Sequence, residues 1–245
     1  MRVEALLEAF NLAPTRAPVV QHRTIELLRS LPHEVVYTQG LTYHAGLMYE
    51  SSRLSGVSSL CRLEPDTGTV LSRVILPNRY LAGGLAVVED ALVLLTWQGK
   101  AFCYDVASLK RERIFAFKGE GWGVCYDGKT LYVSDGTDTL ALYNPETFER
   151  LGELRVSLAG QGVSPLAELE CVGASIFANV ANTGLIVQFE KTTGHVEAVM
   201  NVAGSVPVAQ TPMLSGIAYA SSTNVFYLTG KLWPQVLEVR FATLP

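Results

Sequence analysis

The sequence has little charge, and none of it is clustered. Nineteen Lys and Arg stand against 23 Asp and Glu, for a net charge of −4 and no basic run. That excludes the electrostatic footprint of a nucleic-acid binder or of a protein held on an anionic membrane surface. No apolar run approaches the ~20 residues that a membrane-spanning helix needs. Histidine is scarce: His22, His33, His44 and His195 are scattered, with no HExxH and no i,i+4 pair. A catalytic metal site built on histidine is therefore not expected. Cys61, Cys103, Cys125 and Cys171 form no CxxC pair, which argues against a zinc knuckle. They read as small buried core residues with free thiols. Glu4 and Glu8 interrupt the first ten residues, so these are not a secretory signal. They read as a short amphipathic helix, followed by a linker over Ala13–Pro18, and a cytoplasmic location is expected unless a leader has been removed.

What is present is apolar and repetitive. Of the 245 residues, 49% are hydrophobic. A chain of this length buries roughly 70–75% of its unfolded surface without needing staples. Five short motifs each open a β-prone run: Gln39-Gly40-Leu41-Thr42, Gly83-Gly84-Leu85-Ala86, Trp122-Gly123-Val124-Cys125, Leu169-Glu170-Cys171-Val172 and Ser215-Gly216-Ile217-Ala218. Their second residues, 40, 84, 123, 170 and 216, are spaced by 44, 39, 47 and 46. That is a blade-like period of about 40–50 residues. A second and a third β-prone run follow each start, for example Leu92–Trp97 and Ala101–Tyr104. Turns such as Glu64-Pro65-Asp66-Thr67-Gly68 and Asn144-Pro145-Glu146-Thr147 come next, then a fourth run in the first four copies.

The last copy stops after its third run, near Phe241, while Arg23–Leu28 offers the missing strand from the other end of the chain. Closing a ring this way removes an open sheet edge. The expected architecture is all-β: a five-bladed β-propeller over residues 23–245, closed by an N-terminal strand, with residues 1–22 as helix and linker. Ligand sites in such rings sit at one mouth of the axis, where inner strands begin or end.

Several of these motifs, in order, resemble the plant and bacterial glutaminyl-peptide cyclotransferases. They are Tyr37-Thr38-Gln39-Gly40-Leu41, Glu50-Ser51-Ser52 with Gly56 and Ser58-Ser59, Leu95-Thr96-Trp97, and Glu120-Gly121-Trp122-Gly123. Ser134-Asp135-Gly136-Thr137, Glu168-Leu169-Glu170, Ala178-Asn179-Val180, Gly216-Ile217-Ala218-Tyr219 and Thr229-Gly230-Lys231-Leu232-Trp233-Pro234 complete the series. The resemblance runs from about His33 to Phe241 and implies a five-bladed propeller. It implies cyclisation of an N-terminal glutamine to pyroglutamate with release of ammonia. It also implies a peptide or protein N-terminus as partner, in a protein expected to be a monomer.

No cofactor is required for that chemistry, and a structural cation on the propeller axis is compatible with it. Gln39, Trp97, Trp122, Asn179 and Lys231 are the implied substrate-binding residues. Lys231, Glu168 and Glu170 are the candidates for catalysis, and no residue is assigned to a metal.

The chain departs from the family pattern at pocket positions. Gly83 stands where a proton-shuttling glutamate belongs, fourteen residues before Trp97. Ala167 replaces the asparagine of an N-E-L-E motif and Ala181 the tryptophan of A-N-V/I-W. Val57 and Cys61 replace the arginines of an E-S-T-G-L-Y-G-R-S-S-x-R run, and Ser215 replaces an asparagine. Three readings stay open: a cyclotransferase with a rearranged acid/base, an inactive propeller that binds a peptide end or small ligand at the former mouth, or a purely structural or interaction module. Trp233 reads as blade-to-blade packing, and Glu50 and Asp135 as carboxylates bonding backbone at strand ends.

Overall fold

The computed structural model describes residues 20–34, 36–202 and 213–243, all of them strand, turn or loop with no α-helix. The expected N-terminal helix and linker lie outside these residues. β1 (Gln21–Pro32) precedes a first antiparallel sheet of β2 (Thr38–His44), β3 (Leu47–Ser52), β4 (Ser59–Leu63) and β5 (Val70–Ile75). The second holds β6 (Ala82–Val88), β7 (Ala91–Thr96), β8 (Lys100–Asp105) and β9 (Arg111–Ala116). The third holds β10 (Gly123–Tyr126), β11 (Leu131–Ser134), β12 (Thr139–Tyr143) and β13 (Arg150–Arg155). A small hairpin, β14 (Ser157–Leu158) and β15 (Gln161–Gly162), leads to β16 (Leu166–Val172), β17 (Ser175–Val180), β18 (Leu185–Glu190) and β19 (Val196–Asn201). The last strands are β20 (Leu214–Ala220), β21 (Val225–Gly230) and β22 (Gln235–Thr243).

β1 lies antiparallel along β22 from Arg23 to Pro32, with a bulge between Leu27 and Arg29. Its first residues also pair in parallel with β19, at Gln21–Ala198 and Arg23–Met200. One chain segment thus joins β16–β19 and β20–β22 into a continuous eight-stranded sheet. The parallel contact has no counterpart in the sequence expectation.

The apolar residues of each four-strand unit face those of the next. Five clusters lie among the described residues, one at each junction. Leu60, Leu76, Leu85, Leu94 and Phe102 fill the space between the first and second sheets. Leu41, Met48, Leu63, Ala218 and Tyr227 join the first sheet to β20–β22. Each fully buried Leu or Phe contributes roughly 1.5–3 kcal/mol, so these junctions hold most of the stabilisation. Trp233 is fully buried in the cluster between β16–β19 and β20–β22.

The first strands of the units touch one another in cyclic order: β2 on β6, β6 on β10, β10 on β16, β16 on β20 and β20 on β2. Near their starts, short polar bonds cross the junctions. Ser51 Oγ–H donates to the Gly83 carbonyl at 2.6 Å, and the Gly84 N–H to the Trp122 carbonyl at 2.7 Å. Ser134 Oγ–H donates to the Ala167 carbonyl at 2.6 Å, and Ser215 Oγ–H to the Thr38 carbonyl at 2.8 Å.

Register corrects the expected start of the fourth copy. Leu169 opposes Ala178 just as Leu41 opposes Glu50, Leu85 opposes Leu94 and Ile217 opposes Leu228. The counterpart of Gly40, Gly84, Gly123 and Gly216 is therefore Glu168, two residues before Glu170. The spacings become 44, 39, 45 and 48, from positions 40, 84, 123, 168 and 216.

The cysteine expectation is also corrected. Cys125 of β10 and Cys171 of β16 form a disulfide across the third junction, with Cα atoms 5.5 Å apart. Neighbouring inner strands of different units supply the proximity, which no local spacing reports. Cys61 and Cys103 are buried free thiols whose pKa is raised, chiefly by burial. A 46-residue separation makes the cross-link worth about 2–4 kcal/mol, mainly by limiting the unfolded chain. Reduction should lower the midpoint of wild-type thermal unfolding by several degrees and leave a Cys125→Ser, Cys171→Ser double variant unmoved. Equal response of both proteins to reductant would remove the bridge.

Candidate functional site

The starts of the inner strands carry irregular pairing. Register shifts occur between Thr38 and Gly40, Ala82 and Leu85, Leu166 and Leu169, and Leu214 and Gly216. Bulges of this kind bend a strand and re-aim its side chains. The level they define holds Gln39, Gly83, Trp122, Ala167 and Ser215. Trp97, Arg53 and Lys231 join it from the ends of the second strands β7, β3 and β21.

Two of the expected binding residues meet here. The Trp97 and Trp122 rings stack with centroids 5.2 Å apart and planes 7° apart. Trp122 is further held by its Nε1–H, which donates to Glu120 Oε2 at 2.8 Å, while the buried Trp97 Nε1 has no partner. Lys231 places Nζ 5.3 Å from the Tyr37 ring centroid. Its pKa is lowered by burial first and by the Arg53 charge second. Gln39 is buried with Oε1 unpartnered. Asn179 is fully buried, and neither atom of its amide has a partner.

Sequence reasoning passed over Arg53. Its guanidinium carbon lies 3.9 Å from the Trp97 ring centroid and 5.5 Å from that of Tyr37. The only signal was its place at the glycine of the E-S-T-G run.

Beneath the mouth, Glu50 Oε1 accepts from Thr38 Oγ1 at 2.5 Å and pairs with His33 Nε2 at 3.0 Å. Burial pushes the His33 pKa down. The Glu50 bond and charge, the Trp233 carbonyl and the Glu34 charge outweigh it, and the net shift is upward. Asp135 is exposed and accepts from the Thr137 backbone N–H and hydroxyl, so it shapes a turn.

Glu168 and Glu170 take different places. Glu168 is fully buried on the inner face of the ring, and both of its oxygens lack a hydrogen-bond partner. A Cβ on Gly84 would sit 2.7 Å from its Oε2. Burial raises its pKa well above the usual carboxylate range, the Glu170 charge adds to this, and the Leu85 backbone N–H, near it but outside hydrogen-bond geometry, opposes it. Burial likewise raises Glu170. Glu170 lines a cavity of about 290 Å³ with the far ends of the inner strands, among them His44, Val87 and Tyr126. It faces away from Trp97 and Trp122, which do not line that cavity.

The family model for glutamine cyclotransferase matches residues 3–241. The chain belongs to the glutamine cyclotransferase family. A glutaminyl-peptide cyclotransferase of Arabidopsis thaliana is 30% identical over 232 residues, covering 88% of this chain and 71% of that protein. The crystal structure of Myxococcus xanthus glutaminyl cyclase matches with a TM-score of 0.84 at 33% identity, covering 92% of this chain and 100% of that one. The WD40 repeats of RRP9 match at a TM-score of 0.56 and 9% identity, a likeness of fold alone.

Family membership sharpens the meaning of Gly83. A Cβ there would lie 2.0 Å from the Gly121 carbonyl oxygen and 3.4 Å from that of Leu95. The Gly121 backbone occupies the space a side chain at Gly83 would need.

The Glu168 shift fixes a sign. An acid whose folded pKa is raised supports the fold fully below its unfolded pKa, near 4.5, and loses that support as pH rises through the folded value. Glu168→Gln should therefore match wild type near pH 4.5 and gain on it progressively toward pH 8.5, read as the difference in Tm. A difference that stays flat over that range would overturn the assignment.

Proposed function

We propose that the five sheets are blades of a five-bladed β-propeller closed by β1, and that its mouth binds the amino terminus of a peptide. In this reading the chain keeps the binding half of a glutaminyl-peptide cyclotransferase site and cyclises N-terminal glutamine slowly. The observation that carries it is the stacked Trp97–Trp122 pair at the inner-strand starts, beside a backbone that leaves no room for a side chain at Gly83. The ring of inner-strand contacts and the junction-by-junction cores support the propeller.

In the reaction, the peptide's α-amine forms a bond to its own side-chain amide carbon. The bond from that carbon to the amide nitrogen breaks, and a proton passes from the amine to the departing ammonia. Gln39 Oε1 is a free acceptor suited to an ammonium or amide N–H of the ligand. Trp97 and Trp122 wall the aliphatic part of a glutamine side chain. Lys231 and the Asn179 amide supply donors for developing charge on the carbonyl oxygen. No carboxylate serves as shuttle: Glu168 lies sealed below the mouth, Glu170 faces the opposite end, and Glu120 is engaged by Trp122. A positioned acid/base is worth about 10²–10⁴ in rate.

The orphaned oxygens of Glu168, with Glu170 as second donor, also fit a structural cation on the axis. Calcium should then raise the Tm of wild type and leave Glu168→Gln unmoved; equal curves would remove the cation. The Cys125–Cys171 bridge fits an oxidising compartment better than the expected cytoplasm.

On a Gln-initiated dipeptide, ammonia release should run about 10²–10⁴-fold below that of a relative bearing the glutamate, measured by a coupled ammonia assay. Gly83→Glu should destabilise the protein rather than restore turnover, because the new side chain meets the Gly121 backbone. Ammonia release at the relative's rate would sink this reading.

A further inference from the structure

Two cations at the mouth share one ring and have no anion. Arg53 and Lys231 both lie over Tyr37, at 5.5 and 5.3 Å from its centroid. Backbone bonds fix both positions, those of Arg53 and Leu232 to the start of the first sheet and that of Lys231 to the start of β20. The Arg53 N–H donates to the Tyr37 carbonyl at 2.9 Å, the Lys231 N–H to the Met213 carbonyl at 2.9 Å, and the Leu232 N–H to the Val36 carbonyl at 2.8 Å. Arg53 sits over Trp97 with its guanidinium carbon 3.9 Å from the ring centroid. A guanidinium held over a ring by its π contact still offers N–H donors in the fork geometry that matches a carboxylate.

Among the described residues, neither side chain makes an ion pair or donates a hydrogen bond to protein. The ion pairs present involve Arg29, His33, Arg73, Arg150, Arg155 and Lys191. The acid at the mouth, Glu120, is bonded to Trp122 instead. Two like charges held near each other and half withdrawn from water oppose one another, which an anion between them relieves. The same wall holds two buried polar atoms without partners, Trp97 Nε1 and Gln39 Oε1.

We propose that Arg53 and Lys231 form a carboxylate subsite of the mouth. This subsite selects peptides with a carboxylate close to the amino terminus, supplied by an acidic side chain at the second position or by the free C-terminus of a dipeptide. The inference rests on the peptide-end reading of the site and names its substrate class. Arg53 grips the carboxylate through its fork, Lys231 adds a point charge, and the Trp97–Trp122 stack walls the terminal residue. Charge-assisted bonds of this kind are the strong ones.

Tryptophan fluorescence titration separates the possibilities. Two pairs serve as probes: a Gln-Glu against a Gln-Gln tripeptide amide, and Gln-Ala as free acid against its amide. Wild type should bind at least one carboxylate member about tenfold or more tightly than its neutral partner, with the advantage shrinking as salt is raised. The pair that shows the preference identifies the source of the carboxylate. Arg53→Gln, which keeps a planar group on Trp97, should erase the preference, and Arg53→Lys should retain part of it. Thermal melts of both variants establish that the fold is intact. Tight but equal binding within both pairs overturns the carboxylate subsite and leaves the peptide-end reading standing. Preference unchanged in folded Arg53→Gln overturns the role of Arg53. Absence of binding by all four peptides overturns both readings together.

Discussion

The innermost strands come so close at one level that a methyl group does not fit between them. A Cβ on Gly40 would lie 2.9 Å from the Gly84 Cα, one on Gly84 2.6 Å from the Gly123 Cα, and one on Gly123 2.7 Å from the Glu168 Cα. Contacts of that kind with backbone cannot be relieved by a rotamer change. Each glycine there is a condition for the next sheet to dock, and hence for the five apolar junctions that hold most of the stabilising area. Glu168 is the one residue at this level with a side chain, and it occupies room that its neighbours' missing side chains leave. The level also divides the axis. Above it lie Trp97, Trp122 and Lys231; below it lies the cavity that Glu170 lines.

The same close packing explains the state of the chemistry. At Gly83 the space for a side chain is taken by the Gly121 carbonyl, so a side chain there requires the Gly121 backbone to move. Opposing effects can be ranked. Losing a positioned acid/base removes a factor in rate, about 10²–10⁴. In the proposed reading the stacked tryptophans, the free acceptor of Gln39 and the two mouth cations act on binding and are untouched by that loss, so affinity is kept while turnover falls.

Much of this was legible in the sequence because the repeat writes the same demands five times. Apolar β-prone runs recurring at one period located the strands, and turn residues located the connections: Asp105, Asn144 and Glu190 each accept backbone N–H bonds two or three residues on. The fourth start slipped by two residues for a physical reason. A shift of two keeps every side chain on its face of the strand, so Leu169-Glu170 imitates the pattern of Ala167-Glu168. Only pairing partners distinguish the two registers. The disulfide was illegible because Cys125 and Cys171 are 46 residues apart and become neighbours through the docking of two sheets. Arg53 was missed because its importance is in what it touches. Trp97 and Tyr37 come from β7's end and β2's start, and no local motif records that they converge.

Strand termini, rather than long loops, position the mouth. The Trp97 N–H donates to the Leu81 carbonyl at 3.0 Å, the Trp122 N–H to the Ser134 carbonyl at 2.9 Å, and Arg53 and Lys231 are anchored in the same manner within one residue of β3 and β21. Side chains held by backbone bonds at the ends of a rigid sheet keep their geometry whatever their neighbours become. The side chain at a second-strand end such as Arg53 can therefore differ without disturbing the sheets behind it. Fold and chemistry separate at this level, since the glycines fix the ring and the residues one step above them decide what it holds.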